Sequence, residues 1–293
     1  MQTKREELLA IGALLLATSA WGGTFVVVKS AIAQMPLMDL MAWRWIIAVS
    51  VLVAIRPRCL FVSRTTYLRG AAVGVTTFLG YLFQTVGLQY TSASVSGFIT
   101  GMFVVITPLL GWLLFRERIA GAVWIAVVLA CTGLAAISLN GWVFGRGEAW
   151  TLAGAAMWAL QIIAFARFST PGNAYSLGTL MIGWVAVGFA LGAPLQGGYA
   201  MPPNAGVWWG ILIAAVFATA FAFPVQSWGQ AHLDATRAAV IFTMEPVFAG
   251  IFGFWLGGDR FTARVLIGAL LILAAMFVAE FGPAARSGAS AST

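Results

Sequence analysis

The sequence is short of charge: only 9% of its 293 residues are Asp, Glu, Lys or Arg, where soluble domains carry about 25%. Hydrophobic residues make up 61% and the mean hydropathy is +0.94, which excludes an ordinary soluble enzyme and a disordered chain. The two lysines, Lys4 and Lys29, do not follow a glycine, so there is no G-x-x-x-x-G-K-[ST] phosphate loop and the chain is not its own ATP-driven pump. The single histidine, His232, excludes HExxH peptidase motifs and His-rich zinc sites. Two cysteines, Cys59 and Cys131, are too few for a disulfide framework. With no metal cluster and no paired intramembrane aspartates, catalysis finds little support.

What is present is apolar length. Stretches of about 20 residues, each able to cross a ~30 Å hydrocarbon core, recur along the chain. Apolar runs between charges and turn signals predict ten helices, near 8–28, 37–55, 70–88, 94–115, 121–139, 149–168, 175–193, 206–229, 236–256 and 263–281. The rest of the chain is too short for a sizeable extramembrane domain. Ala17–Ala20 resembles a signal-cleavage site, but the apolar segment continues from Leu8 to Val28 and reads as a first helix. The Gly/Ala/Ser-rich tail over 283–293 is expected to be disordered. With both termini in the cytoplasm, eleven basic residues fall inside. Four (Lys29, Arg146, Arg260 and Arg264) fall outside, the bias that the positive-inside rule favours. The net charge of +7 is thereby explained without nucleic acid.

The sequence repeats itself at an offset of 142, pairing Thr77 with Thr219, Gln84 with Gln226, Gly87 with Gly229, Gly111 with Gly253 and Arg118 with Arg260. Trp21 and Trp158 prefer an offset of 137. Residues 1–145 and 146–282 thus form two five-helix halves, and an odd number of spans inverts the second. The expected fold is an all-α integral membrane protein of ten transmembrane helices, two inverted repeats around a central cavity. Inverted repeats mark secondary transporters, with the substrate site near the midplane.

Particular residues narrow the family. Trp21-Gly-Gly-Thr-Phe-Val-Val-Val-Lys29 and Arg44 resemble the opening helices of EamA-type members of the drug/metabolite transporter superfamily. Leu113-Leu-Phe-Arg-Glu-Arg118 resembles that family's L-x-x-x-E-R end, and the segment beginning Met244-Glu-Pro-Val-Phe-Ala249 its E-P-V-F-A motif. Asp259 stands where glutamate is usual, and Pro108 sits four residues later than Pro246 on the repeat diagonal. Within the superfamily the chain is similar to bacterial inner-membrane exporters of aromatic amino acids. That resemblance implies export of a small molecule, residence in the inner membrane, and no cofactor. The expected assembly is a monomer or weak oligomer. Efflux of hydrophobic drugs or organic cations is the alternative, and an integral-membrane enzyme acting on lipid is a second one.

A charge at a helix centre costs roughly 2.5–3.5 kcal/mol on insertion scales, so buried ionisable groups need a role. Glu245, beside Pro246, is either a proton or amine site or an acid held by backbone groups that the proline frees. Arg44 either snorkels to the interface or pairs with Glu245. Lys29 and Asp39, at the outer ends of helices 1 and 2, are read most simply as interfacial anchors, with substrate contact as the alternative. Gln84, Gln161 and Gln226 lie in apolar spans, and each amide both donates and accepts. Tyr81, Trp158 and Phe223 precede them by three residues, hence on the same helix faces. Three aromatic-x-x-Gln pairs can wall a site for a zwitterion, or they can be interhelical packing. The patterns Gly97-Phe-Ile-Thr-Gly101 and Gly253-Phe-Trp-Leu-Gly257 permit close helix approach. Pro108, Pro194, Pro224 and Pro246 are candidate kinks, and His232 reads as a solvated loop residue.

Overall fold

Backbone in hydrocarbon must satisfy its own hydrogen bonds, which helices do within one segment. The computed structural model describes residues 4–116, 121–140, 143–170, 172–232 and 241–281, and these are almost entirely helical. The helices are α1 (Lys4–Ile32), α2 (Leu37–Ile55), α3 (Arg64–Leu88), α4 (Ala93–Thr100), α5 (Phe103–Phe115), α6 (Gly121–Ser138), α7 (Arg146–Phe168), α8 (Ala174–Gly192), α9 (Ala205–Ala215), α10 (Ala222–His232), α11 (Met244–Trp255) and α12 (Ala263–Phe281). Among the described residues, strand structure is confined to a two-residue antiparallel pairing of β1 (Leu139–Asn140) with β2 (Val143–Phe144).

Seven helices among the described residues are long and apolar enough to cross a membrane. They include α4–α5 read as one span, Ala93–Phe115, and α9–α10 as another, Ala205–Gln226. Gly121–Ile137 and Ala263–Ala279 are shorter apolar helices. The helix expected over 236–256 falls partly outside the described residues, as do Arg118, Arg237, Arg286 and the tail over 283–293.

Where helices begin, a side chain supplies the missing acceptor. Ser63 accepts from Thr66 N, which starts α3 at Arg64 rather than at residue 70, and Ser92 and Asn204 cap α4 and α9 in the same way. α10 runs on to His232, so that residue ends a helix rather than lying in a loop. Two spans are interrupted at equivalent places. Gly101–Met102 form a turn between α4 and α5, and Thr243 is a turn just before α11, 142 residues later. Glu245, expected near the middle of a helix, therefore stands in the first turn of α11, where the helix dipole favours a carboxylate. Pro246 in that same turn has no N–H to offer the preceding turn, which suits a helix start.

Lipid offers helices no hydrophobic drive to associate, so close packing of small residues does the work. A Cβ added at Gly87 on α3 would fall 2.7 Å from the Gly147 carbonyl of α7, and one at Gly147 would fall 2.8 Å from Thr91 Cβ. Both glycine patterns noted in the sequence meet across α4 and α11, with Gly97 against Ala249 and Gly253 against Ser94. α3 packs on α7 and α8, α1 on α10 and α11, α2 on α8 and α9, α4 on α11, and α6 on α12. The largest core cluster includes Phe25, Met41, Trp45, Tyr81, Met181 and Phe189. Leu113, Val128, Trp209, Trp255 and Leu270 stay exposed, as a lipid-facing surface requires.

Replacing Gly87 with Val is expected to force α3 and α7 apart and destabilise the fold by about 1–3 kcal/mol. Thermal unfolding in detergent measures this. Gly12→Ala, where an added Cβ meets nothing within 4 Å, should leave the midpoint unmoved.

Candidate functional site

At the middle of the bundle three aromatic rings interlock. Tyr81 of α3 lies 4.6 Å, centroid to centroid, from Trp45 of α2 and 4.6 Å from Trp158 of α7, both edge-on. A second set also joins the two halves, with Trp21 of α1 6.0 Å from Phe223 of α10 and 6.3 Å from Phe242. Tyr81 and Phe223 are partners in the repeat, and so are Trp158 and Trp21, so one aromatic pair is built twice.

Arg44 projects between Trp45 and Tyr81. It is 2% exposed, with its guanidinium carbon 5.3 Å from the Trp45 ring centroid and 5.1 Å from that of Tyr81. Aromatic faces attract a cation through their quadrupole. Nε and Nη2 both donate to Thr219 Oγ1 at 3.3 Å. Thr219 is available because Val216–Phe221 forms a π-helical segment between α9 and α10, a feature frequent at functional sites. Its hydroxyl donates to the Ala214 carbonyl five residues back at 2.9 Å, and Trp21 Nε1 donates to the Ala218 carbonyl at 2.9 Å. Among the described residues no ion pair joins Arg44 to Glu245.

The amides are divided. Gln84 Nε2 donates to Thr100 Oγ1 at 3.0 Å, at the interruption between α4 and α5, and Gln161 Nε2 lies 3.7 Å from Met181 Sδ. Gln226 is half-buried on α10. Thr24, Met41, Arg44, Tyr81, Gln84 and Thr85 line a pocket with about 10 Å³ of room for water centres, enough for one water. Among the described residues the central cavity expected from the sequence is narrowed to this water-sized space, with Arg44 and the Trp45–Tyr81–Trp158 rings packed beside it.

Sequence reasoning passed over Trp45 and gave Thr219 no role beyond marking the repeat. It also misread two end residues. Lys29 is no free anchor: its ammonium donates to the Leu88 carbonyl at 3.3 Å and to the Thr91 carbonyl, closing the end of α3. Thr91 Oγ1 donates to Glu148 Oε1 at 2.9 Å, and Asp259 Oδ2 accepts from Ser94 N at 2.8 Å and Ser94 Oγ at 2.6 Å. These contacts tie α1, α3, α4, α7 and the chain after α11 together at one end of the bundle. Asp39 is 1% exposed, with neither carboxylate oxygen hydrogen-bonded. It sits in the first turn of α2, where a buried carboxylate is favoured by the dipole rather than by headgroups.

Known proteins resemble this chain throughout. The sequence profile of the EamA-like transporter family matches it twice, over residues 8–139 and 145–280. An uncharacterized transporter of Archaeoglobus fulgidus is 32% identical over 273 residues, covering 90% of this chain and 83% of that protein. The uncharacterized transporter YyaM of Bacillus subtilis is 23% identical over 93% of this chain and 94% of its own length. A chloroplastic WAT1-related protein of Arabidopsis thaliana is 25% identical over 72% of this chain and 53% of its own. A solved crystal structure shares the fold with a TM-score of 0.64 at 18% identity, covering 97% of this chain and 99% of that one. The chain belongs to the EamA-like transporter family of the drug/metabolite transporter superfamily and is a multi-pass membrane transporter of small molecules, not an enzyme.

Proposed function

We propose that this transporter exports aromatic and other neutral amino acids across a bacterial inner membrane by alternating access. The observation that carries the reading is the Trp45–Tyr81–Trp158 cluster beside Gln84 and Gln161 at the centre of the bundle. Aromatic faces cover an aromatic side chain, while amides and hydroxyls serve a zwitterion. Phosphates of a nucleotide sugar would call for several inward Lys or Arg, and Lys29 is already held by carbonyls.

The architecture we assign is ten spans in two inverted halves, residues 1–145 and 146–282, with both termini cytoplasmic. Three features support it. The most extensive helix pairings correspond when the halves are exchanged: α3–α7 corresponds to α1–α10, and α3–α8 to α2–α9. The pairs α2–α8, α4–α11 and α6–α12 map onto themselves. The interruptions at Gly101–Met102 and Thr243 are also equivalent. Such exchange symmetry is what a rocking transporter uses to open alternately on two sides. In this conformation the water-sized pocket corresponds to an occluded site.

Labelled phenylalanine and tryptophan should move saturably through proteoliposomes containing the protein. No saturable movement of either overturns the substrate assignment and leaves an organic cation, with Glu245 as counter-charge, as the reading to test. Trp158→Ala should raise KM for tryptophan about 2–10-fold, the value of one aromatic pair, with a smaller effect on threonine competition. Glu245 is the group we assign to proton coupling. Glu245→Gln should therefore remove the response to an imposed pH gradient while leaving exchange at equal pH intact. An unchanged response excludes Glu245 as the coupling residue.

A further inference from the structure

We infer that Arg44 is the carboxylate-binding residue of the transport site. This rests on the amino-acid reading above and deepens it, since it moves the anionic end of the substrate from the amides to one buried guanidinium. A guanidinium carries five N–H donors. Here two of them share a single hydroxyl at 3.3 Å, beyond the usual N–H···O range. Its faces lie against Trp45 and Tyr81, and it has no carboxylate partner among the described residues. Buried charges in a membrane are ordinarily paired, or they mark a substrate path. Arg44 also borders two small voids, one with Tyr81 and Gln84, the other with Val28, Leu40 and Ile211. The unfilled donors therefore adjoin space rather than packed protein.

The fold itself does not require a cation here. At the offset of 137 that relates Trp21 to Trp158 and α2 to α8, the repeat position of Arg44 is Met181, which is buried on α8 in the same core. One half of the bundle thus holds this site with an uncharged thioether, and the other holds it with a permanent charge. A planar fork with free donors matches a carboxylate in two-point fashion. The Thr219 and Tyr81 hydroxyls can turn to donate to the same oxygens. One uncompensated charge suits a monovalent anion better than a phosphate.

The test uses two half-substrates competing with labelled phenylalanine on the full-length protein in detergent. One is 3-phenylpropionate, which keeps the carboxylate and lacks the amine; the other is phenethylamine, which has the reverse. In the wild type 3-phenylpropionate should compete. In Arg44→Gln its inhibition constant should rise at least about tenfold, as the loss of a charge-assisted pair implies, while that of phenethylamine moves less than twofold. Arg44→Lys should recover part of the loss. Failure of 3-phenylpropionate to compete in the wild type overturns the inference without any variant. So does equal loss of both ligands in Arg44→Gln, or no loss of either. If labelled phenylalanine does not bind the wild type, labelled 3-phenylpropionate is titrated directly. Arg44-dependent binding then keeps the carboxylate site and removes the amino-acid reading, and absence of binding removes both.

Discussion

A charge that cannot be discarded sits where water is scarce, and much of the centre is arranged around it. Arginine stays protonated in proteins, so at 2% exposure the guanidinium of Arg44 must be stabilised by what surrounds it. Two ring faces and one hydroxyl do this. The rings come from α2 and α3, and Tyr81 is held edge-on by Trp158 of α7. The hydroxyl is offered by a π-helical stretch between α9 and α10. Four parts of the chain, distant in sequence, are thereby drawn to one point.

The glycine contacts make that meeting possible. Where α3 and α7 touch backbone to backbone at Gly87 and Gly147, Tyr81 and Trp158 lie six and eleven residues further along the same pair of helices. The approach of α4 to α11 at Gly97 and Ala249 brings both interrupted spans side by side. Polar side chains near those interruptions, Thr100 and Glu245 among them, then lie beside irregular backbone inside the protein rather than facing lipid. Unsatisfied backbone is tolerated at membrane depth only in such a place.

Membrane placement was legible because it is written in a long-range pattern, hydropathy over about 20 residues. The aromatic-x-x-Gln spacing found Tyr81 and Trp158, since helix geometry alone puts such residues on one face. What escaped depended on contacts across the fold. Asp39 and Lys29 look like interfacial anchors from their place at helix ends, yet one is buried and the other closes α3. Thr219 carries an ordinary residue type in an apolar span, and only the local change of helix register turns its hydroxyl toward Arg44. Glu245 was recognised, but not its position at a helix start, because the effect of Pro246 on the preceding turn depends on how the neighbours pack.

The π-helical stretch has a mechanical consequence. An extra residue accommodated in a helix shifts the face of everything after it by about 100°, so moving or dissolving such a bulge is a rotation of the remaining helix. Here the bulge is fastened at two points: the Trp21 indole holds the Ala218 carbonyl, and the Arg44 guanidinium holds the Thr219 hydroxyl. A ligand that occupies the guanidinium releases the second fastening and leaves the first. Occupancy at the centre and the rotational setting of α10 are in that sense a single degree of freedom, with the indole of Trp21 as its axle.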